Sequence, residues 1–172
     1  MKLKYFHLLL LLFGVSYLGS PAVSAEERGI FTGASLEFNN HNKDGGATGG
    51  GLMAAYQVNR QFAFGIRASF FAVTGYYAGN LSSFEPKAFF RYNLPWAWAN
   101  GLFAQLEAGS VVYFYHNDVF PAFSGGLGIG WRYGFTDVFF IEPALRFGYP
   151  FMWGAGLTAG LSFPFSGRRT ER

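Results

Sequence analysis

Charged residues in the strand-like parts of this chain all fall on one face. Glu85, Lys87 and Arg91 alternate with apolar residues between positions 84 and 92. The same alternation holds for Arg67 in its segment and for Glu142 and Arg146 in theirs. Because successive side chains of a β-strand point to opposite sides, each segment has one apolar face and one face that holds the charge. Repeated over about ten residues, strand after strand, this pattern is typical of a β-barrel in a lipid bilayer.

The N-terminus has the pattern of a secretory signal peptide. Two lysines in the first four residues precede the apolar run 8–15, and Val23-Ser24-Ala25 places small residues before a cleavage point. A retained N-terminal anchor is the alternative, but a helix that spans a bilayer needs about 20 apolar residues. We therefore expect a signal peptide at 1–25, cleaved after Ala25, and a barrel domain at 26–172.

Composition excludes several classes of protein. The 172 residues include no cysteine, which excludes disulfides, thiolate chemistry, cysteine-anchored zinc sites and a lipid anchor on an N-terminal cysteine. Net charge is only +3, and basic residues cluster only at the tail, so we expect no nucleic-acid partner. Aromatic residues make up 21% of the chain and charged residues 13%, a balance that a soluble domain would struggle to bury.

Eight segments with period-two alternation follow the signal peptide, separated by turn-rich stretches. The predicted strands are 29–38, 48–58, 62–74, 83–92, 101–114, 123–133, 138–148 and 153–165. The predicted outward loops are 39–47, 75–82, 115–122 and 149–152, and the predicted periplasmic turns are 59–61, 93–100 and 134–137. The fold class that this predicts is all-β: an eight-stranded antiparallel up-and-down transmembrane barrel with both termini on the periplasmic side.

The residues on the polar face favour a membrane barrel over a soluble one. A water-facing surface would be rich in Lys, Glu, Asp, Asn and Gln, whereas this face is mostly Gly, Ala and Ser. Small residues suit the tapering inside of a small barrel. Aromatics also gather near segment ends, which predicts girdles at the membrane interfaces. The predicted interfacial aromatics are Trp96, Trp98, Trp131, Tyr133 and Trp153.

Residues 26–172 resemble the small eight-stranded outer-membrane barrels of the OmpA-, OmpX- and OmpW-like group. The eight alternating segments and the last of them, GAGLTAGLSFPF, carry the resemblance. It implies a bacterial outer membrane, contact with membrane lipid and lipopolysaccharide or an equivalent outer-leaflet lipid, and recognition by the outer-membrane insertion machinery. Phe163 and Phe165 resemble the aromatic end that this machinery reads, but SGRRTER follows them, which departs from the pattern.

Nine charged residues are predicted to point into the barrel, whose interior has just enough space for its own side chains. They are Glu37, Arg67, Glu85, Lys87, Arg91, Glu107, Arg132, Glu142 and Arg146. Because isolated buried charges are unfavourable, we expect this lumen charge network to pair internally. Folding back at 93–100 places Lys87 close to Glu107, allowing one two-residue slip. The network either plugs the barrel or leaves a narrow polar path beside the glycines of strands six and eight.

Catalytic and metal-binding patterns are weak. His41 and His116 both fall in predicted loops, and neither has a serine at a spacing that indicates a catalytic triad. His41 with Asp44 supplies only two ligands, which does not define a metal site. We therefore predict a protein that is not an enzyme and has no cofactor or metal, with a structural or surface-interaction role and an unknown extracellular ligand. The alternatives are a narrow channel for small solutes and, more distantly, a lipid-modifying enzyme.

Overall fold

The computed structural model describes residues 28–40, 45–74, 81–95 and 101–165. The predicted signal peptide lies outside these residues, as do His41, Trp96 and Trp98. The strands are β1 (Gly29–Asn40), β2 (Gly46–Gln57), β3 (Phe62–Thr74), β4 (Leu81–Asn93), β5 (Leu102–Tyr115), β6 (Asp118–Trp131), β7 (Tyr133–Gly134), β8 (Phe139–Tyr149) and β9 (Trp153–Pro164). Among the described residues, no helix is long and apolar enough to cross a bilayer.

The sheet closes on itself. Each strand from β1 to β5 pairs antiparallel with the next, and β9 pairs with both β8 and β1. Both β6 and the short β7 pair with β8, so they form one wall strand that is interrupted at Arg132. The predicted eight-stranded antiparallel up-and-down barrel is therefore confirmed.

The strands are strongly tilted. A path that starts at Gly29 and passes from each residue to its cross-strand partner goes once around the barrel. It returns to β1 at Asn39, not at Gly29. The path runs through Gln57, Ala63, Arg91, Gln105, Gly128, Arg146 and Gly154. Such an offset is what closing a twisted sheet into a barrel requires. Because of this tilt, side chains that are distant in the sequence lie at the same height along the barrel axis.

The distribution of side chains is inside-out relative to a soluble domain. Leu36 is 75% exposed and Leu52 is 69% exposed on the outer face, whereas Glu85 and Glu142 are each 1% exposed. In water, large apolar side chains are buried and charged ones are exposed. Hydrocarbon reverses that preference, so this barrel has the surface of a membrane-spanning one.

The predicted loop at 115–122 is wrong. β5 continues to Tyr115, and β6 begins at Asp118 after the two-residue turn His116-Asn117. His116 has a φ of 53°, a conformation that His, Asn and Asp adopt more readily than most residues. His, Asn, Asp and Pro within 116–121 indicated a loop, but pairing with β5 outweighs those local preferences.

Other boundaries also differ from the prediction, most of them by one or two residues. The loop predicted at 39–47 is shorter, because β1 continues to Asn40 and β2 begins at Gly46. The loop predicted at 75–82 also ends earlier, since β4 begins at Leu81. The turn predicted at 134–137 shifts by one residue, because Gly134 still pairs with Phe140.

The hairpin of β5 and β6 extends beyond its neighbour β8. β5 and β6 pair along their whole length, from Leu102 to Tyr115 and from Asp118 to Trp131. β8 pairs with β6 only from Gly125 to Gly130. The Asp118–Ser124 part of β6 therefore has a described neighbour on one side only, at the end of the barrel opposite the termini, whereas β5 stays paired with β4 up to Tyr115.

Candidate functional site in the barrel interior

The nine predicted lumen charges all lie inside the barrel. Eight of them are buried, and the side chain of Arg132 is 20% exposed. They form two groups along the barrel axis. One group lies in the half that is farther from the termini, and its members are Glu37, Arg67, Glu85, Lys87, Glu107 and Arg146. The other lies in the half that contains the termini, and its members are Arg91, Arg132 and Glu142.

Arg146 is the centre of the first group. Its Nη2 lies 2.8 Å from Glu107 Oε2 and 4.0 Å from Glu85 Oε2, and its Nη1 donates a hydrogen bond to Glu37 Oε2. Glu37 also accepts hydrogen bonds from two serine hydroxyls, those of Ser35 and Ser69. One guanidinium therefore joins three carboxylates that come from three different strands, β1, β4 and β5.

Lys87 and Glu107 lie diagonally across β4 and β5. Lys87 is directly opposite Gly109, and Glu107 is opposite Phe89, which is the two-residue offset that the sequence argument allowed. Lys87 Nζ lies 3.8 Å from Glu107 Oε2 and is closer to Glu85 on its own strand. The ammonium group is therefore shared between two carboxylates.

The group near the termini is compact. Arg91 donates two hydrogen bonds to Glu142, at 2.7 and 3.1 Å, and a third from Nε to Gln105 Oε1 at 2.9 Å. Arg132 Nε donates to Glu142 Oε1 at 2.5 Å. A bidentate arginine–carboxylate pair of this kind fixes both position and orientation.

Phenylalanine rings fill the space around these charges, and these rings were not among the site residues predicted from the sequence. The buried rings are Phe31, Phe71, Phe89, Phe103, Phe140 and Phe151. Arg91 Cζ lies 3.8 Å from the Phe103 ring centroid, and Arg132 Cζ lies 4.1 Å from that of Phe31, so the guanidinium groups stack on aromatic faces. The alternation of residues could have predicted them, because Phe89 alternates in step with Lys87 and Arg91 and therefore lies on the same face of the strand.

Inward-facing glycines make room for these rings. A Cβ atom at Gly65 would lie 2.7 Å from Phe89 Cζ, and one at Gly160 would lie 2.3 Å from Phe140 Cζ. Phe103 covers Gly130 in the same way, at 2.4 Å. Gly65, Gly130 and Gly160 are therefore partners of buried aromatics, not the lining of an open space.

Because Gly65 lies against a ring and Gly128 does not, we expect alanine to destabilise the barrel at Gly65 but not at Gly128. Gly65→Ala should lower the free energy of unfolding by about 1–3 kcal/mol, because the new methyl group overpacks against Ala55 and Phe89. Gly128→Ala is the matched control, since its Cβ would meet nothing closer than 3.6 Å. Urea unfolding of both variants in lipid vesicles measures the difference. Equal stabilities of the two variants would contradict this packing.

Aromatic residues lie at both ends of the outer wall. Trp153 packs on Phe38, with 5.7 Å between ring centroids, at the end opposite the termini. Trp131 and Tyr133 lie half-buried at the other end, where Tyr133 contacts Phe135. Further aromatics that the sequence argument did not single out also lie near the termini: Tyr56, Phe62, Tyr92 and Phe139.

The described residues offer little for catalysis or metal binding. His116 is exposed on the turn between β5 and β6, where its ring contacts Tyr115. No group of three or more metal-ligating His, Asp or Glu side chains occurs within the described ranges. The absence of a cofactor and of a metal stays a prediction.

Solved structures with the same architecture are known. No protein-family model matches the sequence, and no curated protein matches it. Neisserial surface protein A (NspA) is 13% identical with a TM-score of 0.57, over 80% of this chain and 97% of that chain. The outer membrane protein OprG from Pseudomonas aeruginosa is 11% identical with a TM-score of 0.51, over 83% of this chain and 99% of that chain. The chain therefore has the fold of the small eight-stranded β-barrels of outer membranes.

Proposed function

We propose that this protein is an integral barrel of a bacterial outer membrane with a closed interior and a structural or surface-interaction role. The observation that carries the proposal is the filled lumen, in which paired charges and phenylalanine rings occupy the interior. The apolar outer face fits hydrocarbon, and the predicted signal peptide fits export. Membrane lipid, lipopolysaccharide or an equivalent outer-leaflet lipid, and the outer-membrane insertion machinery are the partners that this role implies.

The filled glycine wall argues against the narrow channel. Phe103 and Phe140 cover Gly130 and Gly160, and the Glu37 side chain lies 3.3 Å from the position of a Cβ at Gly156. An eight-stranded barrel has only enough interior volume for its own side chains. A polar path beside β6 and β9 would therefore require these side chains to move.

The hairpin of β5 and β6 supports a surface role. If the termini lie on the periplasmic side, its tip points away from the cell. Val119 is 57% exposed and Phe120 is 54% exposed in the part of β6 that extends past β8. Neighbouring exposed apolar residues are a feature of interaction surfaces. An enzymatic role has less support, because the described rim shows no nucleophile paired with a histidine base.

Single-channel recording in planar bilayers tests the closed interior. We expect no steady ion current from the purified barrel, because ions would have to displace paired charges from a packed lumen. Correct insertion is checked in the same preparation by the difference in gel mobility between heated and unheated samples. A reproducible unitary conductance would contradict the proposal and favour the channel.

A further inference from the structure

We infer that bound water molecules occupy a site around Glu37 in the half of the lumen farther from the termini, and that the Phe151 ring covers this hydrated site as a movable lid. This goes beyond the closed barrel proposed above, because it makes the two ends of the lumen different. One end is sealed by packed strand residues. At the other end, a side chain on the connection between β8 and β9 covers two of the buried cations.

Several buried polar atoms around the hydrated site have no partner in the protein. Asn39 is 1% exposed, and neither atom of its amide group has a hydrogen-bond partner. The Nε atoms of Arg67 and Arg146 are also buried without a partner. Buried polar groups in native proteins are bonded to protein or to ordered water, so these donors and acceptors indicate bound water molecules.

These atoms belong to one region of the interior. Asn39 and Arg146 pair with Gly154 from the two strands on either side of it, so they lie close together. Arg67 and Arg146 both contact Glu37, at 3.9 Å in the case of Arg67. Water molecules placed here would have carboxylate, amide and guanidinium partners within one site, which is what a buried water needs.

The half that contains the termini is sealed differently. The side-chain donors of Arg91 and Gln105 are bonded to Glu142, Gln105 and Glu107, and Arg132 Nη2 is a buried donor without a partner there. Phe31, Met53, Ala55, Ala63, Phe89 and Phe140 form one buried apolar cluster there. All of these residues are on strands, so they cannot leave the lumen without disrupting the sheet.

The lid is a different kind of element. Phe151 lies on the short connection between β8 and β9, and it is 2% exposed. Its ring centroid lies 4.8 Å from Arg146 Cζ and 5.1 Å from Lys87 Nζ, so the ring covers both cations. Because Phe151 is outside the hydrogen-bonded ladder, its ring can turn outward without breaking a strand pairing.

The chain contains no cysteine, so a single introduced thiol reports on access. Ser69→Cys places the thiol beside Glu37, to which the serine hydroxyl donates at 3.2 Å. Ala63→Cys is the matched control on the same inward face of β3, within the apolar cluster. The probe is methanethiosulfonate ethylammonium, a small water-borne reagent, applied to the folded barrel in lipid vesicles.

We expect Ser69→Cys to be labelled in the folded barrel and Ala63→Cys to stay unlabelled over the same time. Adding Phe151→Ala should raise the labelling rate of Ser69→Cys at least about tenfold, because thiol reactivity follows access. Phe151→Leu, which keeps an apolar group but removes the ring, should give an intermediate rate and serves if Phe151→Ala does not fold. Heat-dependent gel mobility confirms folding of each variant.

Two results would overturn the inference. If Ser69→Cys were as unreactive as Ala63→Cys in every background, the far half would be dry and packed. If Phe151 variants did not change the rate, the ring would not be the lid. Single-channel conductance separates this inference from the proposed function. If the wild-type barrel carried no ion current but the Phe151→Ala variant did, only the seal at the end near the termini would be disproved. If the wild-type barrel itself conducted ions, the closed barrel would be disproved.

Discussion

Replacement of Arg146 by methionine is expected to lower the free energy of unfolding by about 3–5 kcal/mol, since it leaves buried carboxylates without their cation. Arg146 contacts Glu37, Glu85 and Glu107, all of them buried. Methionine fills similar space but cannot donate a hydrogen bond. Arg67 and Lys87 remain to neutralise three carboxylates, so at least one negative charge loses its partner.

Urea unfolding in lipid vesicles, followed by the fluorescence of the four tryptophans, measures this loss. Arg60→Met is the matched control, because Arg60 is exposed on the turn after β2 and should change stability by less than about 0.5 kcal/mol. Adding Glu107→Gln to Arg146→Met should recover part of the loss, since removing both members of a buried pair is less harmful than removing one. An Arg146→Met variant as stable as the control would refute the network.

Leu52→Arg is expected to destabilise the barrel in a bilayer by about 2–4 kcal/mol, the range for a basic side chain at the bilayer midplane on the lipid face of a barrel. Leu52 is 69% exposed in the middle of β2, between Ala34 and Ala68 on the neighbouring strands. In a water-soluble barrel, the same change at so exposed a position would be close to neutral. The variant therefore tests which solvent surrounds the outer face.

Val58→Arg is the control for depth. Val58 follows the end of β2 on the same outer face, where the effect should fall to about 0–1 kcal/mol as the side chain reaches the interface. Both variants are compared with the parent barrel by urea unfolding in the same vesicles. If the two arginines had equal effects, or if Leu52→Arg were neutral, the membrane-facing assignment of this wall would be wrong.

The alternation of residues predicted much of the architecture. Lys87, Arg91 and Glu142 lie on the inner face because the parity of a strand is a local property that a few consecutive residues reveal. The strand predicted at 62–74 has the observed bounds of β3. The approximate position of Glu107 beside Lys87 followed from the hairpin between β4 and β5, which joins neighbours in sequence.

The ends of β5 and β6 next to the turn that joins them could not be predicted from the alternation of residues. His116, Asn117, Asp118 and Pro121 all favour turns, and they concealed the first residues of β6. Whether such residues pair depends on a partner strand being long enough to meet them, which β5 is. The residue types at these positions favour a turn, but hydrogen bonding to β5 makes them the first residues of β6.

The sequence by itself determined that this chain forms alternating strands with an apolar outer face and a charged inner face, because a period of two is written in adjacent residues. Only the tertiary structure decided which charges meet and what fills the space between them. Arg146 bonds to Glu37, 109 residues away in the chain, because the register offset around a tilted barrel brings their strands to one level. Phe140 likewise fills the space left by Gly160 because β8 and β9 pair in that register.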